Sequence, residues 1–526
     1  MPESFNASPL SRDNWTRAAI VLIAGFAVLR ILALAISPVS LYQDESQYWV
    51  WSRQFDWGYY SKPPMIAWLI SLSTGLFGDS DFAIRLPATL LHTATATFLM
   101  LSARQLWDER AGFWTAALYL TMPGIWLSGF VISTDAVLFV AWSGGLYALL
   151  RLRADRGWGA AIGLGVALGF GFLSKYAMIY FLVSTGLAIL FDAPTRRALL
   201  GLRGAAALAI FLALLAPNLA WNAANDFATV THTAANANWG GDLFHPGELF
   251  EFLAAQLGVF GPVTFGVLAT IFGLTIASFL RADPDQRLLV LYSVPPLAVV
   301  AVQAFISRAH ANWAAATYVA GTLLVVGFLL RGATWRRWAL YGSIGLHTVI
   351  GIIAIALAAS PALVVALGAA DATKRIRAWD VTAEQILAAA ESDDYAMIVF
   401  DDRNAFHQMQ RYAPQLEGRM AMWLRYSGPT NHAEDVWPLA EDQAGRLLVI
   451  SNRPREVPRL REDFDRFESV GRLAIPLDGA YTRDFTLWEA EGYQRVERDE
   501  AYEIRWQAFD ASDEAPPARG YSGDGR

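Results

Sequence analysis

Residues 41–68 read LYQDESQYWVWSRQFDWGYYSKPPMIAW and follow directly on an apolar run, AAIVLIAGFAVLRILALAI, at 18–36. The apolar run is long enough to cross a bilayer as a helix, which takes about 20 mostly apolar residues. The stretch after it opens on an acidic pair, Asp44 and Glu45, passes through a crowd of aromatics and closes on a Lys-Pro-Pro turn, Lys62, Pro63 and Pro64. A plain linker between two membrane helices has little use for that mixture. A surface that grips a charged lipid head group and carries out acid/base chemistry uses all of it. Arg30 interrupts the first run, no small-residue cleavage site follows cleanly, and many more spans come after. The run therefore reads as a retained first helix and not as a signal peptide.

The rest of the chain agrees with a membrane setting. Its 526 residues are 55% hydrophobic, with a mean hydropathy of +0.31, too apolar for one soluble globule. Further apolar runs near 84–106, 112–131, 136–152, 158–174, 176–191, 204–221, 250–280, 288–306, 313–330 and 338–358 predict about eleven transmembrane helices in all. The run 250–280 contains Gly261-Pro262, where a kink or tilt is expected. Arginines gather after alternate spans: Arg12 and Arg17, Arg104 and Arg110, Arg151, Arg153 and Arg156, Arg196, Arg197 and Arg203, and Arg331, Arg336 and Arg337. They share one side if the N-terminus is cytoplasmic. Residues 37–83, the loops 222–248 and 307–312, and the C-terminal tail then face outward, into the periplasm of a Gram-negative-type cell.

Charge divides the chain. Of 41 basic and 48 acidic side chains, more than half fall after residue 370. Residues 1–370 read as a membrane domain whose outer loop 37–83 carries the chemistry. Residues 371–514 read as a periplasmic soluble domain of ordinary size. There YAMIVF (395–400) and LLVIS (447–451) read as buried strands, and 381–391 and 403–413 as helices, predicting an α/β fold. The polar, Gly/Pro-rich end, 515–526, is expected to be disordered. The chain has no cysteine, which removes disulfides, thiolate catalysis and Cys-zinc sites. A net charge of −7 without a basic stripe argues against nucleic-acid binding.

The candidate site residues lie on the expected outer face. Asp44 and Glu45 sit just beyond the first span, where a carboxylate is partly desolvated yet reachable and can be tuned as a general base. They also fit the cap of a short helix at SQYWVW. The chain has three lysines, Lys62, Lys175 and Lys374. Lys62, beside two prolines and the tyrosines Tyr59 and Tyr60, suits a lipid phosphate as a point charge. For Lys175, in GFLSKYA, phosphate contact and snorkelling from a helix end fit equally. Asp135, in VISTDAV, is either a helix cap or a second acid in the same cavity. Arg85, in DFAIRLPA, and Arg308 and His310, in SRAHANW, lie on the same side and suit phosphate or a sugar acid. His232 and His245 are too far apart for a metal site, and the doublets Asp393-Asp394 and Asp401-Asp402 read as a solvated surface and a strand-end turn.

Taken in order, the acidic pair, WGYYSKPPMIAW, FAIRLPA and the STDA turn resemble the polyprenyl-phosphate-dependent membrane glycosyltransferases. That family includes protein O-mannosyltransferases, aminoarabinose lipid A transferases and rhizobial lipopolysaccharide galacturonosyltransferases. The likeness runs over residues 1–330 or so, and the tail offers none. It implies a GT-C-like membrane fold and an acid/base carboxylate at Asp44, with Glu45 and Asp135 as further acidic positions. Lys62 is implied as a contact to the donor's lipid phosphate, with Lys175, Arg85 and Arg308 as looser candidates. Tyr59, Tyr60 and His310 are the expected sugar or acceptor contacts.

The expected enzyme is an inner-membrane glycosyltransferase. It moves a sugar from a polyprenyl-phosphate donor to an outer-leaflet lipid or glycan, such as lipid A or the lipopolysaccharide core, inverting the anomeric centre. The leaving phosphate is already good, so neither a metal nor another cofactor is chemically required. The rival reading, a flippase for lipid-linked sugars, would place ionisable residues nearer the bilayer midplane.

Overall fold

The structure, a computed structural model, describes residues 11–155, 157–235, 243–368, 370–477 and 481–510. Arg156, part of the loop 222–248 and the tail 515–526 lie outside the described residues. The chain divides into two compact units: Met1–Ser37 with Phe55–Ala356, and Pro38–Gln54 with Leu357–Arg526.

The first unit is helical. Among the described residues of the chain, six helices are long and apolar enough to cross a membrane: Arg12–Ala35, Asp81–Leu106, Thr134–Arg153, Leu202–Ala224, Pro284–Ile306 and Thr334–Ala359. Counting two bent pairs as spans raises the number to eight. One pair, Tyr176–Phe191 with Ala193–Leu199, turns by 113°; the other, Pro246–Phe260 with Pro262–Ala277, turns by 116°. The second bend falls at Gly261-Pro262, where the sequence predicted it. Gly261 has φ +94°, open to glycine at little cost, and Pro262 begins the next helix without needing an N–H partner. The expected run at 112–131 is broken likewise. Glu109–Thr121 ends at Met122, and Pro123–Ser128 starts afresh. Trp158–Ser174 and Thr317–Leu329 are apolar helices of lesser length.

Arg30 lies inside the first helix and is buried. Its guanidinium donates to the Leu120 carbonyl at 2.9 Å and lies 5.4 Å from the centre of the Trp126 ring. Leu120 belongs to the last turn before the break, where carbonyls lose their partners within the helix. The arginine that interrupts one apolar run thus serves the break in another.

Residues 37–83, expected as one outer loop, contain two helices, Gln43–Ser52 and Met65–Phe77. The second buries Ile66, Ala67, Ile70 and Ser73 on one stripe and stops at Gly78, φ +85°.

The second unit is built on a five-stranded sheet. Its strands are β1 (Met397–Phe400), β2 (Met420–Met422), β3 (Leu447–Ser451), β4 (Phe464–Pro476) and β5 (Thr482–Tyr493), in the order β2-β1-β3-β5-β4. β1 runs parallel to both β2 and β3, with Val399 opposite Ala421 and Val449. β5 is antiparallel to β3 and β4. Ile398 and Phe400 pack with Trp379, Phe406 and Met409 on one face, while Val399 packs with Trp423, Leu460 and Phe464 on the other. Burial on both faces explains why β1 and β3 are unbroken apolar runs. The helices Trp379–Ala390 and Arg403–Tyr412 lie close to the predicted bounds. Asp401 and Asp402 follow directly on β1, at the strand end where the sequence placed them, and both are buried. Asp402 caps the helix Arg403–Tyr412 through the Asn404 N–H at 2.9 Å, and Asp401 accepts from Ser451 Oγ at 2.5 Å. Burial pushes the Asp401 carboxyl up to about 7.

Candidate functional site

In the first unit, the segment Phe55–Pro64 is fastened at nearly every residue. Phe55 stacks on Trp68 at 5.1 Å, and Trp57 meets the same ring edge-on at 5.2 Å. Trp68 Nε1 donates to the Asp56 carbonyl at 2.9 Å. Asn218 Nδ2 donates to the Trp57 carbonyl at 2.7 Å, and Thr229 Oγ1 to the Tyr59 carbonyl at 2.7 Å. Gly58 lies so near the Trp221 ring that an added Cβ would collide with it, so any other residue there forces the ring or the backbone to shift. The Tyr59 N–H donates to the Lys62 carbonyl at 3.1 Å, closing the turn that presents Lys62, which is half-buried. Tyr60 meets His232 at 5.6 Å.

Two of the expected residues join in an ion pair. Lys175, at the break after Trp158–Ser174, places Nζ 2.7 Å from Asp135 Oδ1. The other Asp135 oxygen accepts from Asn312 Nδ2 at 2.8 Å. Both Asp135 oxygens are therefore occupied, and the Lys175 ammonium stands beside a counter-charge. Asn312 lies in the quoted SRAHANW segment, yet its role went unread there. Arg308 and His310 of that segment are exposed, with His310 edge-on to Trp313 at 5.2 Å. Arg85 is buried in the helix Asp81–Leu106.

Beside Lys175, Tyr176 Oη donates to Asn218 Oδ1 at 3.1 Å and accepts from Asn222 Nδ2 at 3.0 Å. A polar chain thus connects the neighbour of Lys175 to the backbone of Trp57. Asn218 and Asn222, four apart in an otherwise apolar run, were the sequence signal for it. An apolar cavity of about 540 Å³ opens beside the residue after Pro64. Met65, Leu69, Phe98, Val140, Gly163 and Phe170 line it, with Arg151 among its few polar neighbours.

In the second unit, the two members of the acidic pair differ. Glu45 is fully buried and accepts the Tyr42 N–H at 2.8 Å, the return arm of a helix cap. Asp44 is half-buried, and its carboxylate makes no hydrogen bond or ion pair among the described residues.

The family model for dolichyl-phosphate-mannose-protein mannosyltransferases matches residues 61–221. The lipid A galacturonosyltransferase RgtD of Rhizobium johnstonii is 32% identical over 447 residues, 83% of this chain and 91% of its own length. The lipopolysaccharide core galacturonosyltransferase RgtA of the same organism is 29% identical over 245 residues, 45% and 49% of the two chains. Among solved structures, ArnT of Cupriavidus metallidurans in its apo state shares the fold, with a TM-score of 0.62 and 16% identity over 89% of this chain and 97% of that one. Coverage of 83% cannot be supplied by residues 1–330, so the likeness reaches into the C-terminal third, which by sequence alone had offered no family match. The chain belongs to the polyprenyl-phosphate-dependent membrane glycosyltransferases of the GT-C fold, and it is a multi-pass membrane enzyme that transfers a sugar.

Proposed function

We propose that the enzyme moves a sugar of the galacturonate class from a polyprenyl-phosphate carrier to lipid A or the lipopolysaccharide core. The relative named as a lipid A galacturonosyltransferase supports both the acceptor and the sugar. A transferase named for undecaprenyl phosphate-linked aminoarabinose, from Sodalis glossinidius and 29% identical over 173 residues, supports the carrier. The observation that carries the reading is Asp44, a half-buried carboxylate with no partner among the described residues.

In this reading Asp44 takes the proton of the acceptor hydroxyl as its oxygen bonds to the anomeric carbon. The bond from that carbon to the phosphate oxygen breaks, and polyprenyl phosphate leaves as an anion. One displacement inverts the centre. Lys62 holds the departing phosphate, where a fixed cation stabilises developing charge. Lys175, held by Asp135, which Asn312 holds in turn, is a further phosphate partner, with Arg85 and Arg308 as secondary ones. Tyr59, Tyr60 and His310 meet the sugar or acceptor. The cavity beside Met65 is suited to a prenyl chain, being apolar along most of its length. Glu45 holds its helix rather than the proton. The shorter apolar helices complete about eleven spans, with the N-terminus cytoplasmic and residues 371–514 periplasmic.

The test is mass spectrometry of lipid A and core from a deletion strain carrying wild type or Asp44→Asn. The expected result is one missing sugar mass, restored by wild type and not by the variant. Restoration by Asp44→Asn overturns the base assignment; an unchanged profile in every strain overturns the acceptor.

A further inference from the structure

We propose that the helix Arg403–Tyr412 of the second unit positions Asp44, with Gln408 and Tyr412 as its positioning residues. The inference rests on the reading of Asp44 as the base.

The helix that carries Asp44, Gln43–Ser52, has ten residues, fewer than an isolated helix needs to hold its shape in water. Its order comes from what it is fastened to. Gln408, fully buried, grips it at two points. Its Nε2 donates to the Leu41 carbonyl at 2.9 Å, and its Oε1 accepts from Ser46 Oγ at 2.9 Å. One amide side chain therefore brackets Asp44, three residues before it and two after. Tyr412 Oη accepts the Leu41 N–H at 2.7 Å, so both backbone groups of Leu41 are held by a single distant helix. One step earlier, the Trp379 N–H donates to Ser40 Oγ at 3.3 Å. Past Asp44, Arg411 lies 4.9 Å from the centre of the Trp49 ring, and Trp51 meets His432 edge-on at 5.6 Å.

Asp44 itself has no partner among the described residues to orient it. Its carboxylate goes where its backbone goes, and Gln408 and Tyr412 set that backbone. A base displaced by about 1 Å loses up to about a hundredfold in rate. Losing Gln408 also leaves a buried carbonyl and a buried hydroxyl without partners, which favours a shifted helix over a merely loosened one.

The experiment is a double-substitution cycle on the full-length protein purified in detergent, with polyprenyl-phosphate galacturonate as donor and lipid A as acceptor. Gln408→Met keeps the length of the side chain and removes both bonds. It is expected to lower kcat about tenfold or more while the donor KM stays within about twofold. The pH at which activity falls on the acid side should not move. In the Asp44→Asn background, Gln408→Met should cost almost nothing further, because it acts through a base already absent. Tyr412→Phe, a gentler change, should lower kcat about threefold with the same dependence on Asp44. If Gln408→Met and Tyr412→Phe lower the residual rate of Asp44→Asn by the same factors as in wild type, the positioning role is wrong while the base survives. If Asp44→Asn keeps full turnover, the base reading itself falls.

Discussion

Two stretches that adjoin in sequence, Pro38–Gln54 and Phe55–Pro64, are held in different ways. The second is pinned within the first unit by Asn218, Thr229 and Trp68, and by a glycine pressed against Trp221. The first is pinned within the second unit by Gln408, Tyr412 and Trp379. Both look alike in composition, acidic or basic groups set among tryptophans and tyrosines. What separates them is the origin of their partners. The anchors of the cationic stretch lie in helices of the first unit, Trp68 in Met65–Phe77, Asn218 in Leu202–Ala224 and Thr229 in Ala228–Ala235. The anchors of the acidic stretch are more than 300 residues away in sequence. A stretch that is continuous in sequence can thus be divided between two folding units without any break in its chain.

The sharpest way to test that division is to separate the acidic pair. Asp44→Asn should cut turnover by about a hundredfold to ten-thousandfold, the range for a lost general base, with the melting temperature unchanged. Glu45→Ala should do the reverse, lowering the melting temperature by about 2 °C through the lost cap bond while sparing most of the rate. Thermal unfolding and initial rates on the same preparations decide it; equal rate losses would merge the roles. Next in size is Asp135→Asn. It leaves the Lys175 ammonium without its carboxylate, and the expected effect is a rate loss of about tenfold or more, read in kcat and donor KM. Gly58→Ala should follow, with about a tenfold loss as the WGYY segment is pushed off the Trp221 ring. Adding Trp221→Leu should restore part of it; failure to do so would show that the glycine serves something other than close approach.

The smallest effect is on pH. Burial holds His407 down to about 3 and His432 down to about 4, and the two rings stack at 6.2 Å beside Trp51. Their unfolded values lie near 6.5, so the unfolded chain takes up protons first as the pH falls. The stability they allow is complete above about 6.5 and drains away toward 4. Asp401 opposes them. Its carboxyl is raised to about 7, so its cost is full above 7 and fades toward 4. His432→Phe should therefore flatten the fall in melting temperature between pH 7.5 and 5, and Asp401→Asn should steepen it, each by a few degrees. No change of slope would remove the histidines from the seat of the acidic helix.

The apolar runs, the bend at Gly261-Pro262, β1 and β3 were readable in the sequence because each is a local pattern of period, length or breaker. β2 was missed because three residues carry no period, and β4 because FDRFESVGRLAIP spends most of its side chains on an edge facing water. The Asp44–Glu45 pair and Lys62 were visible as residue types. The difference in their surroundings was not, since it depends on Glu45 reaching back to the Tyr42 N–H while Asp44 stays half-buried. Asn312 was in plain view, but an asparagine announces nothing until the aspartate it meets is known. The attachment of 38–54 to the C-terminal unit has no local signature at all, because Leu41 joins it through backbone groups that every residue has.

Arg30 has a consequence for how the protein is made. A lone arginine in the middle of a helix costs about 2.5–3.5 kcal/mol on entering a bilayer. The carbonyl that satisfies this one is 90 residues further along the chain. The Leu120 carbonyl and, at 3.5 Å, the Ile125 carbonyl lie on either side of the break, so the helix Arg12–Ala35 and the broken helix complete one another. Insertion of the helix Arg12–Ala35 is thus expected to be completed energetically only when residues 120–125 join it.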